Sequence, residues 1–437
     1  MSNASAPDSS PSLEAGAADT QTSVRAAWAV GFLTLVSTFN YLDRSLLGLL
    51  LPLIKDDLDL SDTALGLISG VAFGLVYALL CLPIASLADR SSRRNIITAG
   101  FALWSFMTAL TGYAVNGIQL AICRLMMAAG EAAGVAPSQS MISDVVSRER
   151  RPFALAIFQT AFAIDAIVFL PLTAWIAGIH GWRAAFQFAG FFGLLLAIIF
   201  FLTVREPERR LEGRAERAPV VTLIQAMFGL WKVPAFRAMM LGVAFTGGAL
   251  NASSAWTSAL IVRVHGLTVT EVGLYVTPSR GFVAVFGILF VGWMADRLGR
   301  RDERWRFGVP ALVCLVVAPA YLMFLLSDTR SVWIMGMLIS GALHTAAQGP
   351  LFAVIVALSP ENMKTVALAV KVFVANLLGQ LCGPLAVGIL NDLLMPIHGD
   401  QGIRYSMIMV AVCYLMAAIC FLWAGRLARR DGHYALR

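Results

Sequence analysis

The chain has 437 residues, of which 58% are hydrophobic and only 14% charged, and its formal net charge is +7. Soluble proteins carry about 25% charged residues, so a water-soluble globule is excluded and lipid must cover much of this surface. The basic residues lie in short loops between apolar stretches, which excludes a groove-sized patch for nucleic acid. The six cysteines lie inside apolar segments without metal-ligand spacing, so no metal site and no disulfide framework are predicted.

Twelve apolar segments approach or exceed the length of about 20 residues that a transmembrane helix needs. They cover residues 27–54, 62–88, 95–115, 118–146, 152–178, 183–204, 237–262, 270–295, 307–327, 331–358, 363–390 and 403–427. Gly and Pro interrupt several of them, as is common in transporters. The sequence predicts an all-α integral membrane protein with twelve transmembrane helices in two pseudo-symmetric six-helix bundles.

The polar segments mark the boundaries of these bundles. The predicted regions are a disordered cytosolic tail (1–24), a first bundle (25–204), a cytosolic linker (205–236), a second bundle (237–430) and a cytosolic tail (431–437). The tail at the start has neither a basic beginning nor a short apolar core, so no signal peptide is predicted. Within the linker, Val220 to Trp231 is apolar enough to form an interfacial helix.

The distribution of basic residues predicts the orientation. With the first residue placed inside, 24 of the 33 Lys and Arg residues fall in inside segments and five in outside loops. Because basic residues concentrate in cytosolic loops, this bias predicts that both termini are cytosolic. We expect a multi-pass protein of the cell inner (plasma) membrane.

A basic loop occurs twice, about half the chain apart. Asp89-Arg90-Ser91-Ser92-Arg93-Arg94 follows one apolar segment, and a similar run that contains Asp296-Arg297 follows another, with the two aspartates 207 residues apart. Such a repeat is typical of transporters built from two similar bundles.

The second loop carries a family resemblance. Residues Gly292 to Arg301 match the G-x-x-x-D-R-x-G-R-R motif of the major facilitator superfamily at every fixed position, whereas the first copy has Ala85 and Ser92 in place of the two glycines. The resemblance extends over about residues 25–430. It implies the fold of that superfamily but says little about the substrate.

Two narrower resemblances concern the substrate. Tyr41-Leu42-Asp43-Arg44, Arg124 followed by Gly130-Glu131-Ala132, and Gly181-Trp182-Arg183 resemble the Spinster-like family of lysolipid and sphingolipid transporters. Bacterial symporters of organic anions such as sugar acids carry a segment similar to Asn40–Arg44. The resemblance implies an amphipathic lipid substrate, with small organic anions as the alternative.

Four charged residues lie deep in predicted spans. An ionisable group at this depth is costly unless it has a partner or faces water, so we expect Asp43, Arg44, Arg124 and Glu131 to form one network. Burial favours the protonated form of a carboxyl and a nearby Arg favours the charged form, whereas Arg keeps its proton. Asp43 and Glu131 are therefore the predicted proton-coupling residues.

Other polar residues within the spans are candidates for the substrate or charge network. They are Tyr41, Asp165, Arg280, His344, Asn251 and Asn376, together with Arg44 and Arg124. Arg280 is the preferred cationic contact of the second half, and a structural role is the alternative for Asp165 and His344. Lys371 lies near the cytosolic end of its span, where it is expected to snorkel towards water.

The resemblance also implies a role for the two basic loops as a latch that holds the cytosolic side shut in the outward-facing state. The predicted latch residues are Asp89, Arg90, Arg93, Arg94, Asp296, Arg297, Arg300, Arg301 and Glu149. The alternative is a plain positive-inside anchor.

Taken with these residues, the sequence predicts a monomeric, proton-coupled secondary transporter and not an enzyme. No phosphate-binding G-x-x-x-x-G-K-[ST] loop occurs and the five histidines are scattered, so no cofactor is expected beyond the proton gradient. The expected partners are an amphipathic lipid or organic anion, protons and the bilayer. The alternative of another class is a membrane sensor that has lost transport.

Overall fold

The computed structural model describes residues 11–147, 149–207, 229–359 and 363–430, and all regular secondary structure in these ranges is helical. In the first half of the chain the helices are α1 (Pro11–Leu58), α2 (Asp62–Gly66), α3 (Phe73–Arg90), α4 (Arg93–Thr111), α5 (Gly117–Glu131), α6 (Val135–Val145), α7 (Arg151–Gln159), α8 (Ala161–Ile164) and α9 (Leu170–Thr203). The second half contains α10 (Pro234–His265), α11 (Val269–Glu271), α12 (Thr277–Arg301), α13 (Trp305–Leu326), α14 (Arg330–Leu343), α15 (Gln348–Leu358), α16 (Lys364–His398) and α17 (Gly402–Arg430).

The limits of several helices follow from local chemistry. The Ser61 side chain caps α2, and Thr268 forms a reciprocal capping box with Glu271 at the start of α11. Gly181 has a φ of 83° and turns the chain between the predicted fifth and sixth spans, while Gly266, with a φ of 68°, ends α10. These helices therefore begin at a capping side chain or end at a glycine.

Irregular helical turns interrupt several of the long helices. Three π segments cover Leu67–Ala72, Asp165–Phe169 and Val272–Val276. Turns separate α5 from α6 and α14 from α15, and neither α6 nor α15 has a side-chain cap at its first residue. Such interruptions in membrane helices often occur at binding sites, because they expose backbone N–H and C=O groups that would be hydrogen-bonded within a regular helix.

Close helix contacts show how the chain is arranged. A Cβ on Gly48 of α1 would lie 2.7 Å from the carbonyl oxygen of Ser254 in α10, and one on Gly242 of α10 would lie 2.4 Å from the Phe421 ring of α17. Helix α10 therefore runs beside α1, and its first residues lie beside the last turns of α17. We call the end of the molecule where α10 begins and α17 ends the terminal end, and the opposite end the far end.

In the part of the chain that the structure describes, seven helical stretches are long and apolar enough to cross a membrane, with lengths of 22 to 65 residues. This confirms a membrane-spanning, all-helical protein, while the count of twelve crossings stays a prediction. Helix α1 begins at Pro11, inside the segment predicted as a tail, where Leu, Glu and Ala favour a helix. Residues 1–10, 208–228, which include most of the predicted interfacial helix, and 431–437 lie outside the described residues.

Candidate functional site

An ion pair lies at the centre of the first group of helices. Nε of Arg44, in α1, donates to Oε2 of Glu131 at 2.8 Å, and a second guanidinium nitrogen lies at the same distance. Glu131 is completely buried at the end of α5, whereas 27% of the Arg44 side chain is exposed. The pair therefore joins α1 to α5. Glu131 is inaccessible, whereas part of the Arg44 side chain can be reached by a solute or by water.

Asp43 points away from this pair, as the rotation of about 100° between helix neighbours requires. Its Oδ1 accepts a hydrogen bond of 2.9 Å from the Thr108 hydroxyl of α4. Arg124 donates to the Asp43 backbone carbonyl at 3.1 Å and not to its carboxylate. The four residues of the predicted network thus lie together, but their pairing is Arg44 with Glu131 and Arg124 with the backbone of α1.

Aromatic rings of the second predicted span cover the guanidinium groups. The Arg44 guanidinium carbon lies 4.7 Å from the Phe73 ring centroid and 5.0 Å from that of Tyr77. Arg124 lies 5.2 Å from the same Phe73 ring. These cation–π contacts stabilise both cations where water is scarce. They also place apolar surface directly beside the charge.

Asp165 joins the same region from another helix. It is fully buried, it begins the second π segment, and its Oδ2 accepts a hydrogen bond of 2.9 Å from the Ser45 hydroxyl of α1. Tyr41, one turn earlier on α1, packs edge-on against Phe162 with ring centroids 5.7 Å apart. Ser45 is the partner of Asp165 that the sequence did not reveal.

Several atoms of this cluster have no hydrogen-bond partner in the part of the chain that is described. They are Oε1 of Glu131, Oδ1 of Asp165, Nε of Arg124 and Nδ2 of Asn40. Buried polar atoms are nearly always paired, so unpaired ones concentrate where a site binds or switches. A proton added to either carboxyl group would convert an acceptor into a donor here.

The second half of the chain contributes a different set of groups. Nδ1 of His344 lies 2.5 Å from the Tyr414 hydroxyl. Arg280 lies beside α14, 3.5 Å from the position of a Cβ on Gly341, and forms no ion pair within the described ranges. Asn251 donates to the Gly247 carbonyl in its own helix at 2.9 Å. No described carboxylate balances the Arg280 charge.

Asn376 and Lys371 both lie on α16. Asn376 is half-buried and makes no side-chain hydrogen bond with another described residue. Lys371 is only 4% exposed, and its ammonium donates to the Gln348 side-chain oxygen at 2.6 Å. The expected snorkelling is wrong, because the side chain turns inward to a neutral acceptor on α15.

A group of charges at the far end joins the two halves of the chain. Asp62, at the start of α2, is bound by Arg263 of α10 at 2.5 and 2.9 Å and by Lys55 of α1 at 2.6 Å. Asp392 of α16 accepts the backbone N–H groups of Asp62 and Thr63 at 3.0 and 2.8 Å, so it caps α2 from the other half. We call Lys55, Asp62, Arg263 and Asp392 the far-end clamp.

Close backbone packing accompanies the far-end clamp. A Cβ on Gly66 would lie 2.6 Å from the carbonyl oxygen of Pro384, and one on Gly70 would lie 2.6 Å from that of Gln380. The Gln380 side chain also donates to the Ser69 carbonyl at 3.2 Å. The structure therefore represents a state in which the far end is closed.

Comparison with known proteins agrees with this arrangement. The major facilitator superfamily matches residues 33–384. The chain belongs to the major facilitator superfamily. Members of this superfamily are transporters and not enzymes, as the sequence predicted.

Individual relatives of this superfamily cover most of the chain. An MFS-type efflux pump of Mycolicibacterium smegmatis is 33% identical over 93% of this chain and 94% of its own length. The probable galactarate/D-glucarate transporter GudP of Bacillus subtilis is 27% identical, over 78% of this chain and 80% of its own. The crystal structure of a bacterial homologue of the human lysosomal transporter Spinster, inward-facing and unoccupied, has a TM-score of 0.80 at 24% identity, over 93% of this chain and 98% of the other. The fold is therefore Spinster-like.

The superfamily motif loops lie at the terminal end, where Arg93 is the organising residue. It binds Glu206 at 3.1 Å and Asp144 at 2.5 Å, so it ties α4 to α6 and to the segment after α9. Glu206 also accepts from the Ser92 hydroxyl at 2.9 Å and from the Arg94 backbone N–H at 2.7 Å. These contacts all stay within the first half of the chain.

The surroundings of Glu206 change the pKa of its carboxyl group. Partial burial raises the pKa of Glu206, but the hydrogen bonds from Arg94, Ser92 and Arg93 and the Arg93 charge outweigh burial. The pKa of Glu206 therefore lies below its usual range, and the carboxylate remains charged in neutral solution.

The remaining predicted latch residues are mostly exposed. Arg94 covers the Phe201 ring at 4.7 Å and Arg297 covers the Trp293 ring at 5.7 Å. The exposed ones are Arg90, Glu149, Asp296, Arg297, Arg300 and Arg301. The Asp89 side chain lies outside the described part of the structure. No described ion pair of Arg93 or Asp296 crosses between the halves in this state.

Several functional residues were missed by reasoning from the sequence. The far-end clamp and the two acids bound to Arg93 all lie at predicted span ends, where charges are ordinary. The signal available for the clamp was the acid directly after Ser61 at a helix start. For Arg93, no pattern in the sequence indicated that Asp144 and Glu206 would be its ion-pair partners.

Proposed function

We propose that this protein is a proton-coupled secondary transporter of an amphipathic lipid of the sphingolipid or lysophospholipid class, working by alternating access. The observation that carries the proposal is the buried Arg44–Glu131 pair, with Asp43 and Asp165 beside it. A buried ion pair contributes little to stability, so its presence in the membrane interior is best explained by function. The charge of Glu131 can change, and that of Arg44 cannot.

The proposed cycle uses the ion pair as a switch. Protonation of Glu131 removes the charge that holds Arg44, and the cation is then free for an anionic group or for water. Asp43 is held by Thr108 of a third helix, so its protonation state affects the contact between α1 and α4. Because the far end is closed here, protons and substrate reach the cluster from the terminal end, which we place in the cytosol.

The substrate assignment rests on the mixture of charge and aromatic surface around Arg44. A guanidinium that lies against the stacked Phe73 and Tyr77 rings offers a site for an anionic head group beside a wall for an acyl chain. Small organic anions such as sugar acids are the second candidate, because two relatives are probable galactarate/D-glucarate transporters. Both candidates carry anionic oxygens.

The twelve-span topology is supported by an internal repeat. The helix caps Ser61 and Thr268 are 207 residues apart, the same distance that separates Asp89 from Asp296. The π segments that follow these caps begin 205 residues apart, at Leu67 and Val272. Two of the seven candidate membrane stretches, of 53 and 65 residues, are long enough to cross twice. The seven stretches then supply nine crossings, and α1, α4 and α10 bring the proposed number of crossings to twelve.

The remaining assignments follow from this topology. We place both termini in the cytosol and the protein in the cell inner membrane as a monomer, with the proton gradient as its energy source and no cofactor. The loops around Asp89 and Asp296 are proposed to close the terminal end in the opposite state of the cycle. Arg90, Asp296 and Arg297 are exposed here, which agrees with a terminal end that is open.

Transport into proteoliposomes under an imposed pH gradient tests the proposal. We expect flux of a lysophospholipid that depends on the gradient and is lost in the Asp43→Asn, Glu131→Gln double variant, with Asp400→Asn, at an exposed position near the far end, as the matched control. Gradient-driven flux of D-glucarate alone would establish the second candidate. Flux that is unaffected in the double variant rejects the coupling mechanism, and no flux of either solute indicates a sensor.

A further inference from the structure

A buried cation without an acid lies in the second half of the chain. Lys371 is 96% buried in α16, and its ammonium donates to the Gln348 side-chain oxygen at 2.6 Å and lies over the face of the Phe352 ring at 3.7 Å. An ammonium group has three donors, and no carboxylate in the described ranges lies within ion-pair distance. Within the described ranges, therefore, no acid balances this positive charge.

The same position is the start of a broken helix. Gln348 is the first residue of the 11-residue helix α15, whose N-cap residue Ala347 offers no side chain to its N–H groups. A Cβ on the next residue, Gly349, would meet no atom within 4 Å, so the backbone there can be approached. Helix N-termini carry partial positive charge, and the Gln348 side chain links the Lys371 ammonium to this one.

A third donor lies in the break itself. The hydroxyl of Thr345, in the turn before α15, is buried and has no hydrogen-bond partner among the described residues. The hydroxyl can donate to an anion or rotate away, because its hydrogen is not fixed. Lys371, the first turn of α15 and Thr345 together offer donors of three kinds.

The first half of the chain shows what is missing here. Its corresponding break begins after Glu131, and α6 starts at Val135, 213 residues before Gln348. The position 213 residues after Glu131 is His344, which is bound to a tyrosine hydroxyl. One break therefore carries its own carboxylate and the other does not, although both precede an uncapped helix.

We propose that Lys371 and the N-terminus of α15 form a binding subsite for the anionic oxygens of the transported molecule, a carboxylate or a phosphate group. This subsite rests on the proposed transport function and adds, to the Arg44 site in the first half, a second position at which anionic oxygens of the substrate bind. The anion occupies the free donors of Lys371, the single backbone N–H of Gly349 and the Thr345 hydroxyl. Gln348 acts as the neutral placeholder that holds the ammonium when no anion is bound.

Binding to the purified full-length protein in detergent, at one ionic strength and without a pH gradient, tests the subsite. The probes are D-glucarate and lauroyl lysophosphatidate, each paired with its neutral analogue, D-glucitol or lauroylglycerol, and tryptophan fluorescence reports saturation. We expect one of the anions to bind and its neutral analogue to bind at least tenfold more weakly. The anion that binds identifies the carboxylate or the phosphate source.

Four variants separate charge from packing. Lys371→Gln should weaken binding of the anion about tenfold or more, whereas Lys371→Arg and the exposed control Lys232→Gln should stay within about threefold of the wild type. Gln348→Glu should also weaken binding at least tenfold, because the new carboxylate occupies the ammonium, and yet raise the melting temperature through the new ion pair. This opposite response of binding and stability would not occur if Lys371 had only a structural role.

Three outcomes would overturn the subsite: wild-type protein that binds neither anion, equal affinity for an anion and its neutral analogue, or unchanged affinity in both Lys371→Gln and Gln348→Glu. The proton mechanism fails separately. The Asp43→Asn, Glu131→Gln variant should lose gradient-driven flux, and adding Lys371→Gln to that variant should still weaken anion binding about tenfold. Flux that persists in that variant rejects the coupling and leaves the subsite standing.

Discussion

Replacing Arg263 by alanine should open the far end. Its guanidinium donates two hydrogen bonds to Asp62, which is completely buried, and the Arg263 side chain is only 12% exposed. Removing one partner of a buried ion pair typically costs about 3–5 kcal/mol. Lys55 remains bound to Asp62 at 2.6 Å and recovers part of this, so we expect a loss of about 2 kcal/mol from the closed state.

This loss falls on one conformation only. When the far end is open, water solvates Asp62, so the substitution does not change the free energy of the open state. A difference of about 2 kcal/mol corresponds to roughly 30-fold in an equilibrium constant. A far-end-open population of about 1% would therefore rise to about a fifth of the molecules.

Spin-label distances across the far end measure this shift. Exposed Tyr113 and Tyr405 lie on opposite halves near that end and accept cysteine substitution, in a background without the six native cysteines. Arg263→Ala should add a longer distance. The matched control is Arg330→Ala, which removes an exposed guanidinium near the far end that has no ion pair with another described residue and should change nothing. An unchanged distance distribution in Arg263→Ala would show that the clamp does not hold this end closed.

Three further predictions concern packing and pH. Gly66→Ala places a Cβ 2.6 Å from the Pro384 carbonyl oxygen and should open the far end in the same assay, whereas Gly31→Ala, with no atom within 4 Å, should not. Glu206→Gln should lower stability by about 1–2 kcal/mol at pH 7; because the pKa of Glu206 is lowered on folding, this difference should disappear as the pH falls through that pKa, as thermal unfolding at pH 7 and pH 3 would show. Asp165→Asn should raise the melting temperature, because a buried carboxylate with an unpaired oxygen is costly, and reduce gradient-driven flux; a lower melting temperature would contradict this reasoning.

The residues of the charge cluster could be found in the sequence, but their partners could not. Asp43, Arg44, Arg124 and Glu131 stand out because charges are rare in apolar segments. Arg124 and Glu131, two turns apart on one helix, were natural partners by spacing. Glu131 instead binds Arg44 from another helix, and that choice depends on how closely α1 approaches α5, which no local pattern encodes.

Charges at the ends of spans carry less information. Asp62 and Arg263 are 201 residues apart, and at a membrane boundary either could simply face water. Only the packing of α2 against α10 and α16 buries them. Lys371 shows the reverse difficulty, because a lysine eight residues into a helix of 35 residues was expected to reach water. The break before Gln348 supplies an inward acceptor instead.

Helix α1 connects the charge cluster around Arg44 and Glu131 to the far-end clamp. Arg44 and Lys55 are 11 residues apart on this helix, about 16 Å along its axis. Between them, Gly48 brings α1 against the backbone of α10, the helix that carries Arg263. A tilt of α1 that follows loss of the Glu131 charge must therefore move Lys55 relative to Asp62 or slide α1 along α10, and close packing leaves little room for a small adjustment. In the proposed cycle, proton binding at the cluster is therefore transmitted to the clamp along α1, and Pro52, which lies between Arg44 and Lys55, is the point at which this helix can bend.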